Sequence, residues 1–233
     1  MKKNLLIIKR VKIYMLYIFI SDIHSNCKNL DKVLDEIKTS TVEPFKLICL
    51  GDIFEVKVSK KKIDSFFFDT IDEIISEGSQ LVKKLEGAEL IRGNQEERLF
   101  TLIPSNKLPS YLKKLCPLLK TQIHINDECK AVHGHQYSWN RYDAFSHYPL
   151  IELNEYPILF YGHSHENNLF EVNVSEKNIE YQKKEIEFNK SYKLVRKLKV
   201  NYLINVGALK ENDINWVKYD TEKRLVTFYN MKI

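Results

Sequence analysis

The stretch LYIFISDIH, residues 16–24, sets a pattern that recurs along the chain: an apolar run stops at a metal-binding type of motif, here Asp-x-His. A short run of aromatic and β-branched residues bounded by polar ones predicts a buried strand. Asp22 and His24 therefore stand at the end of a predicted strand. Their i, i+2 spacing predicts that both side chains lie on one face.

Four further apolar runs end in the same way. KLICL leads into Gly51-Asp52, AELI into Arg92-Gly93-Asn94, KAV into His133-Gly134-His135, and ILFY into Gly162-His163-Ser164-His165. Each run reads as a strand, and the residues that follow it carry side chains that bind metals or protons. The candidate chemistry therefore collects at the ends of strands.

Amphipathic patterns predict helices between these strands. The first helix pattern is NLDKVLDEIK (29–38), with Leu30, Val33, Leu34 and Ile37 on one face and Ser25 or Asn26 as N-cap. The second is IDSFFFDTIDEII (63–75), with Ile63, Phe66, Phe67, Ile71 and Ile74 on one face, and the third is PSYLKKLC (109–116), stopped by Pro117. YLINVGAL (202–209) predicts a strand and a turn, and a hairpin is expected around residues 220–223. Strands that alternate with helices indicate an α/β fold, whose sites lie at the carboxyl ends of strands.

Length and composition favour one domain over residues 1–233, with residues 1–14 as an extension that the core does not need. The chain is 44% hydrophobic, and it has no repeat or Pro/Gly-rich linker. Its net charge of +5 does not by itself support a nucleic-acid partner. Basic residues break the apolar start of the chain and no cleavage site follows, so neither a signal peptide nor a membrane partner is expected. Four cysteines without a CxxC pair favour reduced thiols in the cytoplasm.

The motif residues form a mixed nitrogen and oxygen ligand set without thiolates, which suits Mn²⁺, Fe or Zn²⁺. Seven side chains are candidates: Asp22, His24, Asp52, Asn94, His133, His163 and His165. Seven ligands are too many for one tetrahedral ion and suit two. A carboxylate such as Asp52 can bridge two ions ~3.5–4 Å apart, which activates water and stabilises in-line attack on a phosphate.

In their order, these motifs resemble those of the calcineurin-like metallophosphoesterases: D-x-H, G-D, G-N-H-[D/E], H and G-H-x-H. The resemblance implies a four-layer αββα sandwich of two mixed β-sheets flanked by helices, with a dinuclear metal site at the carboxyl ends of strands. It assigns one ion to Asp22, His24, Asp52 and His165, and the other to Asp52, Asn94, His133 and His163. VHGHQY (132–137) and INVGAL (204–209) are similar to segments of the family's small phosphodiesterase-type branch and of its late Asn-Pro-Gly turn, respectively.

The resemblance implies hydrolysis of phosphodiesters or activated phosphate esters by in-line attack of a metal-bridging hydroxide. Mn²⁺ is the expected metal, with Fe, Zn²⁺ or Ni²⁺ as alternatives. Many relatives place a His after the motif Asn, where it is thought to protonate the leaving group, whereas this chain has Gln95, which has no titrating proton. Three explanations stay open: a substrate with a good leaving group, another acid such as His135, or a non-catalytic binding scaffold. The first includes a nucleotide or dinucleoside polyphosphate pyrophosphohydrolase. The expected catalytic residues are Asp52, Asn94, Gln95 and His135.

The segment after the fourth motif, QYSWNRYDAFSHYPLIELNEYP (136–157), is the candidate substrate-binding region. Tyr137 and Trp139 could stack on a base, and Arg141 could bind a phosphate with two hydrogen bonds. An ordinary packed loop is the alternative. The expected partner is a phosphate-containing small molecule or a nucleotide.

Overall fold

The computed structural model describes residues 15–59, 61–62, 67–152, 156–210 and 213–232. The extension predicted at residues 1–14 lies outside them. The helices of the described residues are α1 (Cys27–Ser40), α2 (Gly78–Lys84), α3 (Asn94–Leu102) and α4 (Ser110–Leu115). The first strands are β1 (Leu16–Ile20), β2 (Phe45–Cys49), β3 (Glu89–Ile91), β4 (Leu119–Lys120), β5 (Gln122–Asn126), β6 (Cys129–Val132), β7 (Trp139–Arg141) and β8 (His147–Pro149). The later strands are β9 (Ile158–Tyr161), β10 (Asn167–Val174), β11 (Ile179–Lys184), β12 (Ser191–Lys193), β13 (Val200–Val206), β14 (Leu209–Lys210), β15 (Asp213–Asp220) and β16 (Leu225–Lys232).

Two mixed sheets form the centre of the molecule. The first has the order β12-β16-β15-β1-β2-β3-β4, with β14 beside β15, and β1 to β4 run parallel within it. The second has the order β11-β10-β13-β9-β6-β5, with β13, β9 and β6 parallel. The predicted α/β class with two mixed sheets is therefore confirmed. All five strands predicted to end in a motif are present, as is the predicted hairpin of β15 and β16.

Three apolar layers hold the sheets in place. Between the sheets, the rings of Phe19 and Phe160 stack with centroids 4.1 Å apart. The four described helices pack on the outer face of the first sheet, in an apolar cluster that includes the fully buried Trp216. The outer face of the second sheet is covered, in the described residues, by the separate hairpin of β7 and β8, which buries Tyr148. No helix in these residues is long and apolar enough to cross a membrane.

Helix α1 follows its predicted pattern. The side chain of Asn26 accepts a hydrogen bond from the amide of Asn29 at 3.0 Å and so caps the helix. Leu30, Val33 and Ile37 are buried on one face, as the 3.6-residue period predicts. Helix α4 likewise ends before Pro117, where a 3₁₀ turn takes over.

The helix predicted over residues 63–75 is wrong for its described part. Residues 67–75 contain only a 3₁₀ turn at Ile71–Glu73, and Phe67 is 91% exposed. Glu73 accepts hydrogen bonds from the amides of Asp69 and Thr70, which starts a new turn at Thr70 instead of continuing a helix. Local hydrogen bonds from a side chain to the backbone, and not the amphipathic spacing, therefore determine the structure of this segment. Ile63 and Phe66 lie outside the described residues.

Candidate metal centre

Loops from both sheets bring the predicted metal ligands together at one end of the molecule. Asp22 follows β1, Asp52 follows β2, and Asn94 opens α3 just after β3. His133 follows β6, and two further histidines follow β9 in the second sheet. Since β1, β2 and β3 are parallel neighbours, as are β6 and β9, all these loops leave the carboxyl ends of strands.

Asp22, His24 and His165 form a first group, in which one ligand atom of each lies within 4.8 Å of the others. The two imidazole Nε2 atoms are 3.0 Å apart. Asp22 Oδ1 lies 3.8 Å from Nε2 of His24 and 3.4 Å from Nε2 of His165. This oxygen is buried and has no hydrogen-bond partner among the described residues. A buried carboxylate oxygen without a partner is costly, so the three convergent atoms fit a cation.

Asp52, His133 and His163 form a second group of the same kind. Nδ1 of the fully buried His133 donates to the carbonyl of Leu50 at 2.9 Å. A carbonyl can only accept, so the proton sits on Nδ1 and the lone pair of the neutral ring sits on Nε2. That Nε2 atom lies 3.1 Å from Oδ1 of Asn94, which brings the predicted seventh ligand to the same place.

The carboxylate of Asp52 belongs to the second group and also faces the first. Its Oδ1 is 3.4 Å from Nε2 of His133, and its Oδ2 is 3.9 Å from Nε2 of His24. The backbone amide of Gln95 donates to Oδ1 at 2.9 Å and so fixes the rotation of the carboxylate. One oxygen therefore faces each group.

The first group favours an ionised carboxylate. Burial alone would raise the pKa of Asp22, but the nearby imidazoles of His165 and His24 outweigh burial and hold that pKa below its ordinary value. Burial alone would lower the pKa of His24, but Asp22 outweighs it and raises that pKa. The carboxylate and the imidazole thus stabilise each other's charged form when no cation is bound.

The two histidines of the second group are shifted in opposite directions. Burial alone would lower the pKa of His133, but the carboxylate of Asp52 outweighs it and raises that pKa to about 9. Burial, followed by the charge of His133, lowers the pKa of His163 to about 4. At neutral pH, one ring is therefore protonated and the other is ready to bind a metal.

Five candidate ligands have left-handed backbone conformations, with φ of 52° at Asp22, 47° at His24, 51° at Asp52, 70° at His163 and 62° at His165. Such conformations are uncommon outside glycine and cost roughly 1–3 kcal/mol each. Asp22 and His24 converge on one group, as predicted from their i, i+2 spacing, although both lie beyond the end of β1, whereas His163 and His165 have the same spacing and diverge. The left-handed turns send His163 to the second group and His165 to the first.

Two glycines allow backbone to approach the carboxylates closely. A Cβ on Gly93 would lie 2.2 Å from Oδ1 of Asp52, and a Cβ on Gly162 would lie 2.5 Å from Oδ2 of Asp22. Gly93 has an extended backbone, with φ of −94° and ψ of 179°. Close approach, and not an unusual turn, is therefore the reason for glycine there.

Glu96 is a buried residue of the site whose role the sequence did not reveal. It lies in the first turn of α3, and its carboxylate accepts from the amides of Asp52, Ile53, Phe54 and Gly93 at 2.8–3.2 Å. Burial, followed by the charge of Asp52, raises its pKa to about 7. The amide of Gly93 donates to Glu96, which is one half of a capping box, and the Gly-x-x-Glu spacing was the available signal.

Gln95 and His135, the two candidates for the leaving-group side, lie beside the second group. Oε1 of Gln95 accepts from the amide of Val56 at 3.2 Å and, in a very short contact, from the guanidinium of Arg98. The ring of His135 is centred 5.3 Å from that of His133, and its Nε2 lies 3.1 Å from a carboxylate oxygen of Glu97. The amide carbonyl of Gln95 is therefore already occupied by protein groups.

The candidate substrate residues lie on and before the β7-β8 hairpin. Trp139 is next to the site, with its ring centred 5.6 Å from that of His163 and its Nε1 donating to Gly134 at 3.1 Å. Arg141 donates two hydrogen bonds to carbonyls of its own hairpin turn, at 2.8 and 3.1 Å. Tyr137 is half-buried and packs against the outer apolar cluster of the second sheet. Of the three, Trp139 is in ring contact with a candidate metal ligand.

Comparison with known proteins identifies the family of this chain. The sequence model of the family described as "Calcineurin-like phosphoesterase" matches residues 15–213. A search of curated proteins finds no match.

Among solved structures, a metallophosphoesterase from Sphaerobacter thermophilus is similar in fold, with a TM-score of 0.55 and 17% identity, covering 94% of this chain and 88% of that chain. An archaeal phosphodiesterase has a TM-score of 0.45 and 16% identity, covering 93% and 100%. A putative diadenosine tetraphosphatase has a TM-score of 0.49 and 12% identity, covering 94% and 95%.

Proposed function

Because this chain belongs to the calcineurin-like phosphoesterase family, we propose that it hydrolyses phosphodiesters or activated phosphate esters with two divalent cations. The position of Asp52 carries the proposal. One of its oxygens lies 3.4 Å from Nε2 of His133, and the other lies 3.9 Å from Nε2 of His24. A carboxylate between two ligand groups suits a pair of cations ~3.5–4 Å apart.

The side chains present fit two cations, because a buried carboxylate oxygen lacks a partner and every donor is an oxygen or an imidazole nitrogen. One ion would be held by Asp22, His24, Asp52 and His165, and the other by Asp52, Asn94, His133 and His163. This donor set suits Mn²⁺ first, with Fe, Zn²⁺ or Ni²⁺ as alternatives. Such ions supply Lewis acidity, which lowers the pKa of water and neutralises charge on a phosphate.

The protein's own groups position this chemistry. The amide of Gln95 and the carbonyl of Leu50 hold Asp52 and His133, respectively, in fixed orientations. The side-chain carbonyl of Gln95 is occupied, so its NH₂ group is the part available to a phosphoryl or leaving-group oxygen. His135, paired with Glu97, is the nearest candidate to donate a proton to the leaving group.

The substrate in this proposal is a phosphate-containing small molecule or a nucleotide. Trp139 offers a ring for stacking on a base at the edge of the site. Tyr137 and Arg141 are the proposed neighbouring contacts. Arg141 uses two of its N–H groups on its own turn, and its other N–H groups would donate to a phosphate. We also propose a cytoplasmic location, since all four cysteines are free.

A second candidate function is hydrolysis of nucleotide or dinucleoside polyphosphates. Gln95 favours it, because an amide cannot protonate a leaving group and a phosphoanhydride needs little protonation. This candidate uses the same ligands and differs only in the bond that is cleaved.

The test compares the two substrate classes on one Mn²⁺-loaded preparation: bis-p-nitrophenyl phosphate against dinucleoside polyphosphates. We expect hydrolysis of at least one class, and Asp52→Asn should reduce it by at least ~100-fold. Glu86→Gln, at an exposed position in the turn after α2, is the matched control and should leave activity unchanged. Wild-type turnover in Asp52→Asn would refute the mechanism. No turnover of either class with Mn²⁺, Fe²⁺, Zn²⁺ or Ni²⁺ would instead favour a non-catalytic binding scaffold.

A further inference from the structure

We propose that Glu55 is a positioning residue that fixes the orientation and tautomer of His24, and that Gln95 holds the loop that delivers Glu55. This inference rests on the proposed function, because His24 matters through the cation it would bind. It gives Gln95 a task that differs from proton donation. It also gives a physical reason for glutamine at that position.

The contact of Glu55 with His24 determines which ring nitrogen faces the site. Oε2 of Glu55 lies 2.5 Å from Nδ1 of His24. On the other side of the ring, Nε2 lies within 4 Å of carboxylate oxygens from Asp22 and Asp52 and 3.0 Å from Nε2 of His165. A carboxylate that accepts from Nδ1–H leaves the Nε2 lone pair directed at the candidate ion. Carboxylate partners of this kind orient metal-binding histidines and raise their basicity.

Glu55 reaches His24 because two loops run beside each other. The amide of His24 donates to the carbonyl of Asp52, and the amide of Ser25 donates to that of Ile53, both at 3.0 Å. In the opposite direction, the amide of Glu55 donates to Oγ of Ser25 at 2.9 Å. The loop after β1 and the loop after β2 therefore lie side by side, which brings the side chain of Glu55 within reach of His24.

The loop of residues 52–56 is held by side chains at each consecutive amide. Glu96 accepts from the amides of residues 52, 53 and 54, Ser25 accepts from that of residue 55, and Gln95 accepts from that of Val56. Arg98 donates to both Gln95 and the carbonyl of Val56. This loop lies in no helix or strand, so these side chains supply the bonds that secondary structure supplies elsewhere.

Gln95 closes the free end of this loop with an oxygen atom. The side chain of a histidine at position 95 would have no carbonyl oxygen, so the amide of Val56 or the guanidinium of Arg98 would lose its present acceptor. A glutamate keeps the acceptor and can pair with Arg98. The two substitutions therefore separate loop support from acid catalysis. Gln95→His loses an acceptor of the loop but could donate a proton to the leaving group, whereas Gln95→Glu keeps the acceptor and could not act as the same acid.

The experiment measures Mn²⁺ binding by isothermal titration calorimetry in wild type, Glu55→Ala, Glu55→Gln, and the surface control Glu86→Ala. We expect Glu55→Ala to weaken binding of one ion by ~10–100-fold. Glu55→Gln should lose less than tenfold, because its carbonyl still accepts from Nδ1–H. Among the loop variants, Gln95→Glu should bind Mn²⁺ more tightly than Gln95→His.

A spectroscopic readout separates positioning from general damage. In the Zn²⁺-loaded protein, the downfield imidazole N–H resonance of His24 is identified by its absence in His24→Gln. This resonance should also be absent in Glu55→Ala and should persist in Glu55→Gln. If Glu55→Ala binds Mn²⁺ as tightly as wild type and keeps that resonance, this inference is wrong while the proposed function stands. If wild type itself binds no Mn²⁺, the proposed function fails first.

Discussion

Binding of Mn²⁺ to the metal-free protein should release protons and become tighter as pH rises from 7 to 8.5. The cause is His133, whose pKa Asp52 raises to about 9 against the effect of burial. Its Nδ1 is already bonded to the carbonyl of Leu50, so a cation must take the place of the proton on Nε2. The perturbation is therefore pH alone, with the chain unchanged.

The magnitude follows from the distance between pH and pKa. At pH 7, His133 is two units below a pKa of about 9, so about one molecule in a hundred has the neutral ring. The apparent affinity should therefore rise about tenfold per pH unit over this range. His163 adds no slope, because its pKa of about 4 leaves it neutral throughout. The raised pKa of His24 acts in the same direction as that of His133.

Calorimetric titration of EDTA-treated protein with MnCl₂ measures both quantities. Buffers with different ionisation enthalpies at pH 7, 7.75 and 8.5 give the number of protons released along with the affinity. His124→Gln is the matched control, because His124 is exposed on β5 and outside both ligand groups. It should keep the wild-type slope.

An affinity that is the same at pH 7 and 8.5, without proton release, would refute this reasoning. It would mean that Asp52 does not hold a proton on His133 in the metal-free state. A slope that disappears in His124→Gln would equally count against it, since the proton would then come from a ring outside the site.

Three further predictions concern stability, packing and acid catalysis. In EDTA, the melting temperature should fall as pH rises from 6.5 to 9, because the stabilisation from a raised His133 pKa is complete below 6.5 and lost through about 9. The raised Glu96 pKa acts in the same direction from 4.5 through about 7, and a melting temperature that rises over the whole range would contradict both. Gly93→Ala should weaken Mn²⁺ binding by at least ~10-fold, because its Cβ would lie 2.2 Å from Oδ1 of Asp52; wild-type affinity would show that the backbone can yield. His135→Ala should remove the alkaline limb of the pH–rate profile, and an unchanged limb would exclude His135 as the acid.

Strand ends were the part of this fold that the sequence predicted best. The last two residues of each of the five strands are buried, and consecutive residues face opposite sides of a sheet, so an apolar run up to the strand end was a strong signal. The candidate ligands followed from the same signal, since each motif begins where a run stops. Helix α1 was predictable because Asn26 and a 3.6-residue period agreed.

The rest depended on contacts between distant residues. The left-handed backbone of Asp52 and His165 has no marker in the sequence, because neither is a glycine. Only the fold shows that residues 52–54 come within reach of the carboxylate of Glu96. The failed helix over 63–75 shows the converse, because there a short-range bond of Glu73 decided the structure against a correct-looking period.

Loops from the two sheets meet at the candidate ligands, and this has a consequence for how long the protein survives proteolysis in a cell. Side chains of residues 22–94 come from the first sheet and those of residues 133–165 from the second, so bound ions would act as a reversible cross-link between the halves. Ligands that bind only the folded state stabilise it by about 2.7 kcal/mol at a hundred times Kd. Transient opening of the fold, which exposes the chain to proteases, would become about a hundredfold rarer at that metal concentration. Metal supply would then govern how much of this protein persists, quite apart from how fast it turns over substrate.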